Sequence, residues 1–128
     1  MTSLPRAAIL HPELRGGAGS EATAVWLAQA IGEVCRVTLV SMGPVDLPKL
    51  NGIYGTSLSA ARTETVSIPI PRGLECRFDA LRSYRLGRWA KKNACGFDLM
   101  ISSYNVMDFG KRGIQFIADF SFDDGLRR

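Results

Sequence analysis

The sequence predicts an α/β fold: a doubly wound parallel sheet of about five strands in the order 3-2-1-4-5, with helices on both faces. Three observations carry that expectation. Short runs such as Ala7-Ala8-Ile9-Leu10 and Val37-Thr38-Leu39-Val40 are too apolar to alternate, as befits strands buried on both faces. Between such runs lie segments with apolar residues at helical spacing. The first run also leads through a glycine-rich turn, Gly16-Gly17-Ala18-Gly19, directly into one of those segments.

Taken in order, Arg6–His11 is the first strand. Ser20 is suited to the N-cap of the helix that follows, and Glu21 puts a negative charge where the helix dipole favours it. Ala24, Leu27, Ala28 and Ile31 give that helix one apolar face as far as Glu33. Val34–Ser41 is the second strand. Gly43, Pro44 and Pro48 mark a connection with one helical turn near Leu47–Leu50, and the Gly/Ser-rich stretch Asn51–Ser59 reads as a mobile loop. Thr65–Ile70 is the third strand, closed by Pro69-Ile70-Pro71. Cys76–Ala94 is the longest helical segment, Phe97–Ser102 the fourth strand and Gly113–Phe120 the fifth. Ligands in such Rossmann-like sheets bind outside the carboxyl ends of the strands. That rim comprises His11–Ser20, Ser41–Pro44, Pro69–Arg72 and Ser102–Asp108.

Composition narrows the function classes. At 128 residues, 46% hydrophobic and 22% charged, residues 1–128 form a single globular domain with one core. No apolar run approaches the roughly 18 residues of a membrane span, and Ala7–Leu10 is too short for a secretory signal. Cys35, Cys76 and Cys95 lack CxxC spacing and read as reduced thiols in a cytoplasmic protein. A single histidine, His11, gives a metal site or a His-dependent triad little to build on; it reads as structural or solvent-facing. Asp119, Asp123 and Asp124 read as a solvated loop, and Trp26 and Trp89 as core or interface packing. The net charge of +4 is concentrated in one segment. Arg72, Arg77, Arg82, Arg85, Arg88, Lys91 and Lys92 stand against Glu75 and Asp79, a local balance of +5. Such a segment attracts anionic partners; Arg77–Lys92 reads most simply as a solvated helix face, and the second reading is peripheral contact with an anionic membrane. Its arginines and apolar residues interleave on a helical wheel, so it is not a clean amphipathic membrane helix. Nucleic acid is not the expected partner, because the segment lacks a recognition-helix or aromatic-platform pattern.

Gly16-Gly17-Ala18-Gly19-Ser20 is the most informative segment. Glycines let backbone approach a phosphate, and the helix behind them offers unpaired N–H groups. The same residues also serve a turn for steric reasons alone. A dinucleotide fingerprint read from Gly17 has Ala22 at its third position, which that pattern tolerates. However, the second strand ends Leu39-Val40-Ser41-Met42, without the carboxylate that holds a ribose. A Walker A loop is excluded because no Gly-Lys-Ser/Thr follows.

His11-Pro12-Glu13-Leu14-Arg15-Gly16-Gly17-Ala18-Gly19-Ser20-Glu21-Ala22, followed by Ala24–Leu27 and then Arg36-Val37-Thr38-Leu39-Val40, resembles the opening of retaining GT-B glycosyltransferases of the GT4 type. Phe97-Asp98-Leu99-Met100-Ile101-Ser102-Ser103 with Tyr104-Asn105 resembles that family's fourth strand and loop, and Gly113–Ile117 its next strand. The resemblance implies the acceptor-side, amino-terminal half of a GT-B fold. It implies that Gly16, Gly17, Gly19, Ser20 and Glu21 line the approach to the donor diphosphate or sugar, and that Ser103, Tyr104 and Asn105 contact the acceptor. Where many members place a histidine on a later loop, this chain has Asp119-Phe120-Ser121-Phe122-Asp123.

The resemblance further implies that a second domain, absent from the sequence or supplied by a partner subunit, binds the nucleotide sugar. This domain alone then holds no cofactor and is inactive; the nucleotide sugar is the donor substrate of the complete enzyme. A rival expectation is a non-catalytic α/β binding or assembly module. The fifth strand, with Phe116, Phe120 and Phe122, is expected to present an edge that drives self-association.

Overall fold

The structure, a computed structural model, describes residues 3–69, 79–104 and 107–116, and side chains from 84 onward in the third helix. Its elements are β1 (Arg6–His11), α1 (Gly19–Ile31), β2 (Arg36–Met42), α2 (Leu47–Tyr54), β3 (Thr63–Ile68), α3 (Asp79–Asn93), β4 (Leu99–Ser102) and β5 (Ile114–Gln115). A single 3-10 turn, Ala94–Gly96, links α3 to β4. The five strands form one parallel sheet in the order β3-β2-β1-β4-β5, the Rossmann-like arrangement that the sequence predicts.

The apolar runs are continuous because alternate residues serve two cores. Ala8 and Leu10 of β1 point to one face, where they meet Val40, Met42, Met100 and, from α3, Leu86 and Ala90. Ile9 points to the other, among Val37, Leu39, Ile101, Ala24, Val25 and Ala28 of α1 and Leu47 and Leu50 of α2. Every residue from Ala7 to Leu10 is therefore fully buried. Register is in step across the centre, with Ile9 opposite both Leu39 and Ile101.

Glycine is needed where β4 and β5 meet. A Cβ on Gly113 would collide with the Phe109 ring and the Met100 carbonyl, so the chain passes the buried Phe109 only without a side chain there.

Several boundaries differ from expectation, each for a local reason. Ser20 is not the N-cap of α1; Ala18 holds that position, because the Glu21 side chain reaches back to it. The single turn expected near Leu47 continues to Tyr54. Asp46 caps its start by accepting from the Lys49 amide at 3.2 Å, and Gly55 closes it in the left-handed conformation at φ 72°. The stretch read as a mobile loop is thus half helix, and the rest is pinned. Asn51 accepts from the Thr56 hydroxyl (2.8 Å) and the Leu58 amide (2.9 Å) and donates to the Leu58 carbonyl (2.8 Å). From α1, Gln29 accepts from the Ser57 amide at 2.5 Å.

β2 and β4 begin two residues later than predicted, at Arg36 and Leu99, and β3 begins two earlier, at Thr63. β3 ends at Ile68, before Pro69, and β5 is only Ile114–Gln115, with Gly113 and Phe116 outside it. Ile70 and Pro71, residues 76–78 expected in the long helix, residues 117–120 expected in the fifth strand, and Asp119, Asp123 and Asp124 lie outside the described residues. Trp26 is not core: it is 48% exposed on α1. Trp89 does pack, tilted against Phe97 at 5.9 Å. Cys35 and Cys95 are unpaired.

Candidate functional site

In a sheet of this order the chain turns back beside β1, so the crevice between the ends of β1 and β4 is where a ligand is expected. The structure brings most of the sequence-predicted residues to that place. Gly16 and Gly17 adopt φ of 93° and 111°, which only glycine takes without strain, and this turns the loop's amides inward as a nest.

That nest has an occupant. Glu21, 5% exposed, accepts from the Gly16 amide at 3.1 Å through one carboxylate oxygen and from the Ala18 amide at 3.0 Å through the other. Tyr54, at the end of α2, accepts from the Gly17 amide at 2.9 Å, and its hydroxyl donates to the Ala18 carbonyl at 3.0 Å. Three successive loop amides are therefore satisfied by the protein's own side chains. A Cβ on Gly16 would run into Ile53, so the loop also rests on α2 by close approach. The amides of Gly19, Ser20 and Glu21 have no protein acceptor among the described residues, as is usual for a first helical turn.

His11 closes β1 beneath this loop. It is 3% exposed; Nδ1 accepts from the Glu13 amide at 3.2 Å, and Nε2 lies 3.2 Å from the Ser20 hydroxyl oxygen. Burial holds the imidazole below its ordinary pKa, against the opposing pull of the Glu13 and Glu21 carboxylates. A neutral ring whose Nδ1 accepts must carry its hydrogen on Nε2, so His11 donates to Ser20. That polarity is the reverse of a serine–histidine nucleophile, in which the imidazole takes the hydroxyl proton. Ser20 keeps its own hydrogen and can offer it upward, beside the free amides of the first turn.

Across the crevice, Ser103 is 1% exposed, and both its amide (3.1 Å) and its hydroxyl (3.2 Å) donate to the Leu10 carbonyl. It clasps β4 to β1 and is not presented at the rim. Tyr104 is half-buried and sets its ring edge-on to His11 at 5.4 Å, spanning the crevice. Asn105 lies outside the described residues. The Met42 amide, donating to the Pro12 carbonyl at 3.1 Å, joins the loop to the end of β2.

Tyr54 was invisible to sequence reasoning, standing 37 residues from its partner Gly17 in a stretch that reads as loop. The one available signal was the Asp46–Pro48 helix start. A separate open groove of about 550 Å³ runs along β3, lined among others by Asp46, Pro48, Thr63 and Glu64, and takes in none of the rim residues. Among the described residues no cluster of His, Cys, Asp and Glu could hold a metal ion, and no helix is long and apolar enough to cross a membrane. No family model, curated protein or solved structure matches the chain.

Proposed function

We propose that the chain is the acceptor-side domain of a nucleotide-sugar-dependent glycosyltransferase, acting in the cytoplasm with a donor-binding domain or partner subunit. The observation that supports this reading is the juxtaposition at the β1/β4 switch point: the Gly16-Gly17 loop and the first turn of α1 on one side, Tyr104 on the other, joined through His11. The first-turn amides of Gly19 and Ser20 and the Ser20 hydroxyl are donors suited to a departing diphosphate, and such pre-aimed dipoles stabilise developing charge. Gly16, Gly17 and Glu21 shape the wall beneath them. Tyr104 and Asn105 are assigned to the acceptor. The nucleotide is held by the other domain, so the isolated chain positions only one of two reactants.

The test is release of nucleoside diphosphate from UDP- and GDP-hexoses. Two samples are compared: the purified chain alone, and the polypeptide that carries it together with its neighbouring domain or subunit. Release by the complete assembly and not by the chain is expected. Turnover by the chain alone, or an assembly that neither binds nor cleaves any nucleotide sugar, overturns the reading.

A second reading, a non-catalytic binding or assembly module, is favoured by one observation: Glu21 and Tyr54 already satisfy the Gly16, Gly17 and Ala18 amides. Inorganic diphosphate titrated against the amide NMR signals separates the two. Shifts at Gly19 and Ser20 favour the enzyme, and unmoved signals favour the module.

A further inference from the structure

We infer that the outer face of α3 is a docking surface for anionic phospholipid headgroups. The helix is held to the sheet by Leu86 and Ala90, both fully buried. At 100° per residue the opposite stripe is Tyr84, Arg88, Lys91 and Lys92, and all four are exposed, Tyr84 to 64%. Over this part of the helix the cations and the apolar residues separate more cleanly than the whole segment suggests. Arg85, on the flank, is engaged by donating to the Pro69 carbonyl at 2.9 Å.

Not all of the stripe's charge is free. Lys91 is matched by Asp108 at 3.0 Å, and Asp108, which accepts from the Gly110 amide as well as from Lys91, is held as a carboxylate below its ordinary pKa. Arg88 and Lys92 are the two exposed cations of the stripe that no carboxylate among the described residues offsets. They belong to the segment with the +5 balance, which exceeds the net charge of the entire chain.

The shape of the surface selects the partner. These cations stand along one stripe of α3, on the side away from Leu86 and Ala90. A polynucleotide is usually gripped by cations converging on a groove around its backbone. A stripe along one helix with an exposed tyrosine among its cations meets a plane instead, with the ring at headgroup depth and the cations on the phosphates. Each such cation raises partitioning onto an anionic surface about fivefold.

The test is co-sedimentation of the purified chain with phosphatidylcholine vesicles with and without phosphatidylglycerol, at low and high salt. Pelleting only with the anionic lipid, weakened by salt, is expected. Arg88→Gln with Lys92→Gln should lower the partition coefficient about 25-fold while leaving the circular dichroism unchanged, and Tyr84→Ser should weaken it further at fixed charge. Equal pelleting of the wild type and the Gln pair, or no pelleting at low salt, overturns the inference. So does wild-type binding to single- or double-stranded DNA that is tighter than binding to the vesicles.

Discussion

Glu21 does the work that a bound anion does in a glycine-rich loop. Its two oxygens each take a loop amide, so removing the carboxylate leaves the part-buried Gly16 and Ala18 bonds unmade. Glu21→Ala should therefore lower unfolding stability by about 1–3 kcal/mol, measured by urea denaturation, because two hydrogen bonds to a charged acceptor are lost and water replaces them only in part. The same change vacates the nest, so inorganic phosphate should stabilise Glu21→Ala by more than it stabilises the wild type. Stability that is unchanged by the substitution would mean that the loop holds itself by its glycines alone. His11 makes a second demand at this scale, on pH. Its folded pKa lies below the ordinary imidazole value of about 6.5 because of burial. Above that value both states are neutral and the histidine has no pH effect. As pH falls below it the unfolded chain takes up a proton that the folded chain refuses, so stability drops until the folded pKa is passed. A denaturation series from neutral to mildly acid pH should show this slope, and His11→Gln should flatten it.

α2 and the loop behind it set the loop's geometry through a few bonds of one side chain. Asn51 makes three hydrogen bonds to the segment Thr56–Leu58, and Gly55 makes the left-handed turn between them. Asn51→Ala should cost about 1–3 kcal/mol, and Gly55→Ala about 1–2 kcal/mol through its positive φ. Because Ile53 and Tyr54 sit just before this turn, proteolysis at residues 51–59 should speed up in both variants. Protection unchanged from the wild type would show that α2 is held by Leu47 and Leu50 alone. The sheet itself was legible because its central strands carry a signal that depends only on burial: five consecutive buried residues in β1, six in β2. α2 was not, because Asn51-Gly52 has turn chemistry and its helical state depends on Asn51 finding Leu58, a contact no local pattern announces. The candidate site divides in the same way. Gly16 and Gly17 were legible as a glycine turn leading into a helix, and the structure adds that both take positive φ. The roles of Ser103 and Tyr54 were not, since each depends on which distant group the fold brings within 3.3 Å; Glu21 was legible only as a helix-start charge, although its partners Gly16 and Ala18 are close in sequence.

For the whole molecule, the two edges of the sheet differ in what they offer a neighbouring copy. β3 exposes Glu64, Thr65 and Ser67, and Glu64 stands between Arg6 and Arg36 at 3.9 Å from each. A charged and polar edge of this kind resists pairing. At the other end Ile114 is 46% and Phe116 42% exposed, side by side with the two-residue strand β5, while the Phe116 amide is already spent on the Ser102 carbonyl at 2.8 Å. Apolar side chains flanking a strand at a sheet edge gain by leaving water together. The chain is therefore expected to self-associate through the β5 side and not through β3. Sedimentation equilibrium should show a mass that rises with concentration for the wild type, and a monomer for Ile114→Lys with Phe116→Lys. Glu64→Lys, at the opposite edge, should leave the association unchanged. The two β5 substitutions lie at exposed positions, so circular dichroism should match the wild type. A wild type that stays monomeric into the high micromolar range would remove the idea. So would association that survives both β5 lysines, because the contact would then lie elsewhere on the surface.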